Sequence, residues 1–265
     1  MTIAEGNTVC MHGAPPCSGI GLQWTKQELD TALEAKVAEV LFDDEGMADV
    51  ESILVDLAET DFAQERLRRI LKSPNDIEDW RVGEALAESY LACHRACYFP
   101  WPAGRDERKL GSSLPGADLV GFGTDEDGDC LAFGEVKTSS EARYPPNVMY
   151  GPMGLKQQLE DLRDHEAVRD GLLRYLGHRA RGAAWRSRFE RASRRYLQNK
   201  SDVQLYGVLI RDVPPDEDDL RARVRNLAQD CPDESFIELL ALYLPDGCIH
   251  GLGKVVVAKR TGGAV

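Results

Sequence analysis

The chain has 265 residues, 43% of them apolar, and a formal net charge of −13. That length accommodates one large domain, or one domain with an appendage, around an ample core. The acidic balance excludes a general nucleic-acid coat, because phosphate binding needs cations. No apolar run approaches the roughly 18 residues of a membrane span.

Residues 1–24 lack the charged and apolar regions of a signal peptide, so a cytoplasmic protein is expected. They read as an irregular arm rich in Gly and Pro. Thr25 to Phe42 reads as a helix. Thr25 and Glu28 form a capping box, and Leu29, Leu33, Val37, Val40 and Leu41 form its apolar stripe. A second helix is expected over 47–72, with Ile53, Leu57, Phe62, Leu67 and Leu71, ended by Ser73-Pro74. Together these make an N-terminal arm and helical accessory region, 1–74. Asn75 or Asp76 caps a third helix that continues to about Cys97. It carries Glu84 and Glu88 at i, i+4, a spacing that by itself describes a solvated face.

Seven cysteines in such a chain read as reduced thiols. Cys93 and Cys97 flank His94, and Cys10, His12 and Cys17 lie near the start. A zinc site joining the two groups is one reading, but the spacing matches no standard finger and buried cysteine is a common small hydrophobe. Residues 96–101 read as a short strand, and 102–114 as a polar loop.

The informative stretch is Gly116 to Ser140, two apolar runs around Asp127-Gly128, a strong hairpin signal. A turn centred on that pair sets Asp118 opposite Lys137 and Val120 opposite Glu135. Asp118 and Glu135 become diagonal neighbours, and strand alternation places Lys137 on the same face. Glu135 and Lys137 end an otherwise apolar strand, where charge is unexpected. Two such carboxylates suit Mg²⁺, which is held by one or two carboxylates plus phosphate oxygens. Lys137 would orient water or neutralise phosphate charge. The hydroxyls of Thr138 and Ser139 stand where they would contact a phosphate. The acidic tip, Asp125 to Asp129, fails the EF-hand template and reads as a solvated turn.

An Asp near one strand followed by Glu-x-Lys in the next resembles the PD-(D/E)XK, or restriction-endonuclease-like, nuclease superfamily. Here the pattern is Pro115-Gly116-Ala117-Asp118, then Glu135-Val136-Lys137. The family's proline directly precedes its Asp, whereas Pro115 stands three residues earlier. The resemblance covers about 25 residues. It implies a DNA-cleaving enzyme with Mg²⁺ or Mn²⁺ on Asp118 and Glu135, and Lys137 as the catalytic lysine. Members often place a further metal-binding acid on the helix before the sheet; Gly83-Glu84 in VGEALAESYL resembles that element, which implies Glu84. Some members use a helix glutamine beside the lysine, which points to Gln158. The layout also resembles the nuclease subunit of the two-component Hachiman anti-phage system, which implies a helicase partner and DNA degradation in antiviral defence.

Beyond Ser140, a helix is expected over 153–175. From Arg179 to Lys200 there are eight Lys or Arg and one acid, Glu190, a local charge of +7 that leaves −20 on the remainder. This stretch reads as a helix. Its Arg188, Arg191, Arg194 and Arg195 are candidates for a nucleic-acid track, for a contact with an acidic partner, or for pairing with the chain's own acids. A strand at 203–212, a helix at 216–229 and strands at 236–244 and 252–259 follow. The order predicts an α/β fold with a mixed central sheet; the resemblance implies that 75–265 form a restriction-endonuclease-like core with helices flanking that sheet. Two other classes fit the same residues: a catalytically inactive nucleic-acid-binding module, and a protein-interaction adaptor.

Overall fold

Six segments have the β-branched, aromatic or glycine-rich character of strands and pair into one mixed sheet. They are β1 (Asn7–Ala14), β2 (Cys17–Gln23), β3 (Leu119–Asp125), β4 (Gly128–Ser139), β5 (Val203–Arg211) and β6 (Phe236–Tyr243). The sheet order is β1-β2-β6-β5-β4-β3. The four inner strands run parallel, and the edge strands β1 and β3 pair antiparallel with their neighbours. Continuous burial along β5 and β6 matches parallel strands covered on both faces. The structure, a computed structural model, describes residues 2–71, 76–106, 116–229 and 231–262. Ser73-Pro74, the Asn75 cap, Pro115, most of the loop at 102–114 and the end of the TGGAV tail lie outside the described residues.

Helices form a layer on each face. One face carries α1 (Lys26–Glu34), α2 (Lys36–Phe42), α5 (Asp79–His94) and α10 (Leu252–Thr261), with α3 (Asp44–Leu54) and α4 (Asp61–Ile70) between α2 and α5 in the chain. Leu29, Val37, Leu86 and Tyr90 meet Val136, Val208 and Leu242 of the sheet there. The opposite face carries α6 (Leu155–Asp164), α7 (Glu166–Arg179), α8 (Arg186–Gln198) and α9 (Arg221–Leu227), packed on Phe133, Leu205, Leu209 and Leu239. Among the described residues, no helix is long and apolar enough to cross a membrane.

Several expectations are corrected. Residues 7–23 are no irregular arm: they form the β1–β2 hairpin, and β2 lies against β6. Gly19 and Gly21 look like loop residues, but a Cβ at either would collide with Val224 or Cys10. The expected strand at 252–259 is α10. Its Val255-Val256-Val257 run favours strand locally, yet Asp79 of α5 accepts hydrogen bonds from the Gly251 and Gly253 amides at 3.0 and 2.9 Å and caps a helix. The helix expected over 25–42 breaks at Ala35, although its capping box is present. The helix expected over 153–175 breaks at His165, and the one over 47–72 is divided into α3, a 3₁₀ turn and α4. Residues 96–101 contribute one bridge, Tyr98 to Phe122, rather than a strand. Leu22, Trp24 and Leu29 share a cluster with Val82 and Leu86.

The exits of the inner strands are tied together by Arg211, the last residue of β5. Its guanidinium donates to the carbonyls of Ser139, Glu141 and Arg143 and to Asp219. Asp219 in turn accepts from the Tyr243 hydroxyl at the end of β6, 3.0 Å away. Both members of the ion pair are completely buried. Arg211→Met should therefore lower unfolding free energy by about 3–5 kcal/mol, because it leaves a buried carboxylate unpaired. Arg211→Met/Asp219→Asn should recover part of that loss; urea denaturation of the three proteins checks both expectations.

Candidate active site

The β3–β4 register differs from the expected one by two residues. Leu119 pairs with Gly134 and Asp125 with Gly128, so the turn is Glu126-Asp127. Gly128, at φ +107°, takes the position after the turn, and Asp125 Oδ1 accepts the Asp127 amide at 2.9 Å. A one-residue slip would have sent Asp118 to the other face; a two-residue slip preserves the face. The continuation of the ladder sets Asp118 opposite Glu135 instead of Lys137. Asp118 stands just before β3, and its Oδ2 accepts the Val136 amide at 2.8 Å.

Asp118, Glu135 and Lys137 converge. Lys137 Nζ lies 3.4 Å from Glu135 Oε2 and 3.8 Å from Asp118 Oδ2. Glu135 is 1% exposed, and its Oε1 is buried with no hydrogen-bond partner among the described residues. Burial pushes the Glu135 carboxyl up to about 9; the Asp118 carboxylate adds to the shift and Lys137 opposes it.

Glu84, on α5, lies near enough for the charges of Asp118 and Lys137 to act on it. Burial pushes its carboxyl up to about 7, Asp118 raises it further, and Arg81 and Lys137 oppose. Arg81 Nη1 donates to Glu84 Oε2 at 2.8 Å. Arg81 does not stand out as a site residue in the sequence, although its i, i+3 spacing from Glu84 is the signal. Close approach of α5 to β4 requires Gly83, since a Cβ there would collide with Thr138 Oγ1.

That contact places Thr138 on the α5 face, away from Glu135 and Lys137 by strand alternation. The Ser139 hydroxyl is buried and accepts the Glu141 amide at 3.3 Å. Gln158 lies on α6, which packs on β4 and β5, and its Oε1 is buried without a partner among the described residues.

The basic segment is engaged internally. Arg188 and Arg191 both donate to Asp129, at 2.7 and 2.8 Å. Arg195 bridges Asp125 and Asp202. The acidic hairpin tip, expected to be solvated, is thus the counter-surface of α8. Arg194 is exposed and forms no ion pair among the described residues.

Asp118 and Glu135, like charges side by side with an unpartnered buried oxygen, fit a divalent cation completed by substrate oxygens. Among the described residues, no group of three or more His, Cys, Asp or Glu is arranged to hold a metal, and this includes the cysteine and histidine groups weighed for zinc. The chain matches no protein-family model and no curated protein sequence.

The raised carboxyls carry a pH signature. The folded state holds their protons more tightly than the unfolded chain, so stability falls as pH rises from the ordinary 4.5 toward about 9 for Glu135. Glu135→Gln should melt close to wild type at pH 5 and higher than wild type at pH 8.5, both in chelator; differential scanning calorimetry at the two pH values reads the difference.

Proposed function

We propose that the chain is a metal-dependent nuclease with a restriction-endonuclease-like core, hydrolysing phosphodiester bonds in DNA. The observation that carries this reading is Glu135: a carboxylate at 1% exposure, one oxygen unpartnered, beside Asp118 and Lys137. Burying an acid with an unused oxygen costs stability, and a cation ligand accounts for that cost. Such a site is also where raised carboxyl groups concentrate.

Asp118 and Glu135 would hold Mg²⁺ or Mn²⁺, with Glu84 assisting. The ion would supply Lewis-acid polarisation of a phosphoryl oxygen and a more acidic water. The Val136 amide fixes the Asp118 carboxylate, and Arg81 fixes Glu84. Lys137 presents its ammonium between the two strand carboxylates, where it neutralises charge building on phosphate oxygens and orients the attacking water. Arg194 serves as a backbone contact, since its exposed guanidinium is available. The narrower form of the proposal places the chain beside a helicase in antiviral defence, a reading supported by chain layout.

Plasmid, linear duplex, single-stranded DNA and RNA should be incubated with Mg²⁺, Mn²⁺, Ca²⁺ or EDTA. Mg²⁺ or Mn²⁺ should support cleavage and EDTA should stop it. Ca²⁺ should allow binding with little turnover, because its coordination is longer and looser. Glu135→Gln and Lys137→Ala should each lower the rate by roughly 10²–10³-fold or more, with unchanged circular dichroism. Full activity in EDTA, or in either variant, overturns the assignment.

A further inference from the structure

Asp118 also lines a cavity of about 310 Å³ between α5, residues 99–101, the start of β3 and α7. Small-molecule sites run from about 300 to 1,000 Å³, so this one takes a single planar ring system. Phe99, Trp101 and Tyr175 give it an aromatic wall, and Glu88 joins Asp118 as a polar point on it.

The aromatic wall is held in place from behind. The Tyr175 hydroxyl donates to Asp106 Oδ2 at 2.6 Å, and the same carboxylate binds Arg179. The Arg179 guanidinium lies 3.7 Å from the Tyr175 ring centroid and 5.3 Å from that of Trp101. Glu88 is pushed up to about 8 by burial, against the pull of Arg81, so it keeps its proton at neutral pH. A protonated carboxyl offers one donor and one acceptor side by side.

Gly171 is the telling residue. It lies in the middle of α7 on the cavity wall, and a Cβ there would meet nothing within 4 Å. Glycine inside a helix costs stability relative to alanine. Elsewhere on α7, Gly177 is explained by Phe189, which stands 3.3 Å from where its Cβ would be. At Gly171 a methyl group would find open space, and only a side chain larger than alanine would fill the cavity.

We propose that this cavity receives one unstacked nucleobase of the substrate strand, its ring against the Phe99, Trp101 and Tyr175 wall and its hydrogen-bonding edge at Glu88. The base is read as extruded bases are, by stacking and by edge hydrogen bonds, while its adjoining phosphate lies at Asp118. The inference rests on the nuclease reading, and names the unpaired nucleotide as what the site selects.

The test uses a fluorescein-labelled DNA single strand in Ca²⁺, with one abasic site walked along it, and anisotropy as readout. Wild type should lose about tenfold in affinity when the abasic site falls at one position, the loss of one stacked base. Gly171→Phe, which fills the cavity, should bind intact and abasic strands alike; Gly171→Ala should keep the difference. Should Gly171→Phe fail to fold, Glu88→Ala serves, and it should shrink the penalty at that same position. Equal binding of all strands by wild type, or an undiminished penalty in the filled or Glu88→Ala protein, overturns the base pocket. Wild-type cleavage of the intact strand in Mg²⁺ is run in parallel. Cleavage with uniform abasic tolerance overturns the pocket alone; neither binding nor cleavage of any strand overturns the nuclease reading with it.

Discussion

The guanidinium of Arg211 carries a full charge into a region from which solvent is excluded, and much of the molecule is arranged to satisfy it. Asp219 neutralises it, and three carbonyls at and just beyond the end of β4 accept three more of its hydrogens. Because Asp219 also binds Tyr243, the ends of β4, β5 and β6 are fixed by one connected network. Such networks are costly when incomplete and rigid when complete. The rigidity falls where it matters, at the exit of the strand that presents Glu135 and Lys137. A buried acid next to another acid holds its position only if the backbone beneath it cannot yield.

Among the described residues, most charged side chains form internal pairs, whereas the group around Asp118 is rich in acids. The +7 segment reads as a surface for partners or for pairing with the chain's own acids; three of its arginines, Arg188, Arg191 and Arg195, are paired with the hairpin tip and with Asp202. The −20 remainder supplies those acidic partners. Around Asp118, by contrast, carboxyls outnumber cations and Glu135 keeps an idle oxygen. The charge left uncompensated inside, more than the charge displayed outside, marks the chemical region.

The candidate site was legible because its signal is local. Glu135 and Lys137 stand on one short strand, and charge in an apolar run is visible without tertiary information. Their grouping with Asp118 survived a misplaced turn because strands have a period of two. Non-local features were hidden. β2 is a strand because β6 lies beside it more than 200 residues later, and its glycines answer to Val224 and Cys10. α10 is a helix because a carboxylate on α5 caps it, which overrides its valines. Arg211 falls within the strand expected at 203–212, and nothing nearby in sequence shows that its partners are the carbonyls of 139–143. Glu88 read as solvated because its surroundings come from α7 and the segment before β3.

The strand order has a consequence for how the molecule comes into being. β6 lies between β2 and β5, so the N-terminal hairpin has no place in the sheet until residue 243 has been synthesised. Residues 7–23 must wait for more than 200 further residues, while β3, β4 and β5 find one another first. Contacts of such long sequence separation form slowly, and a half-made sheet presents unpaired edges meanwhile. Tyr243, which both seats β6 and anchors Asp219, arrives at the same late moment. The strand exits that steady Glu135 and Lys137 are thus locked only once residue 243 is in place, and a shorter ribosome-bound fragment holds these residues on an unfinished frame.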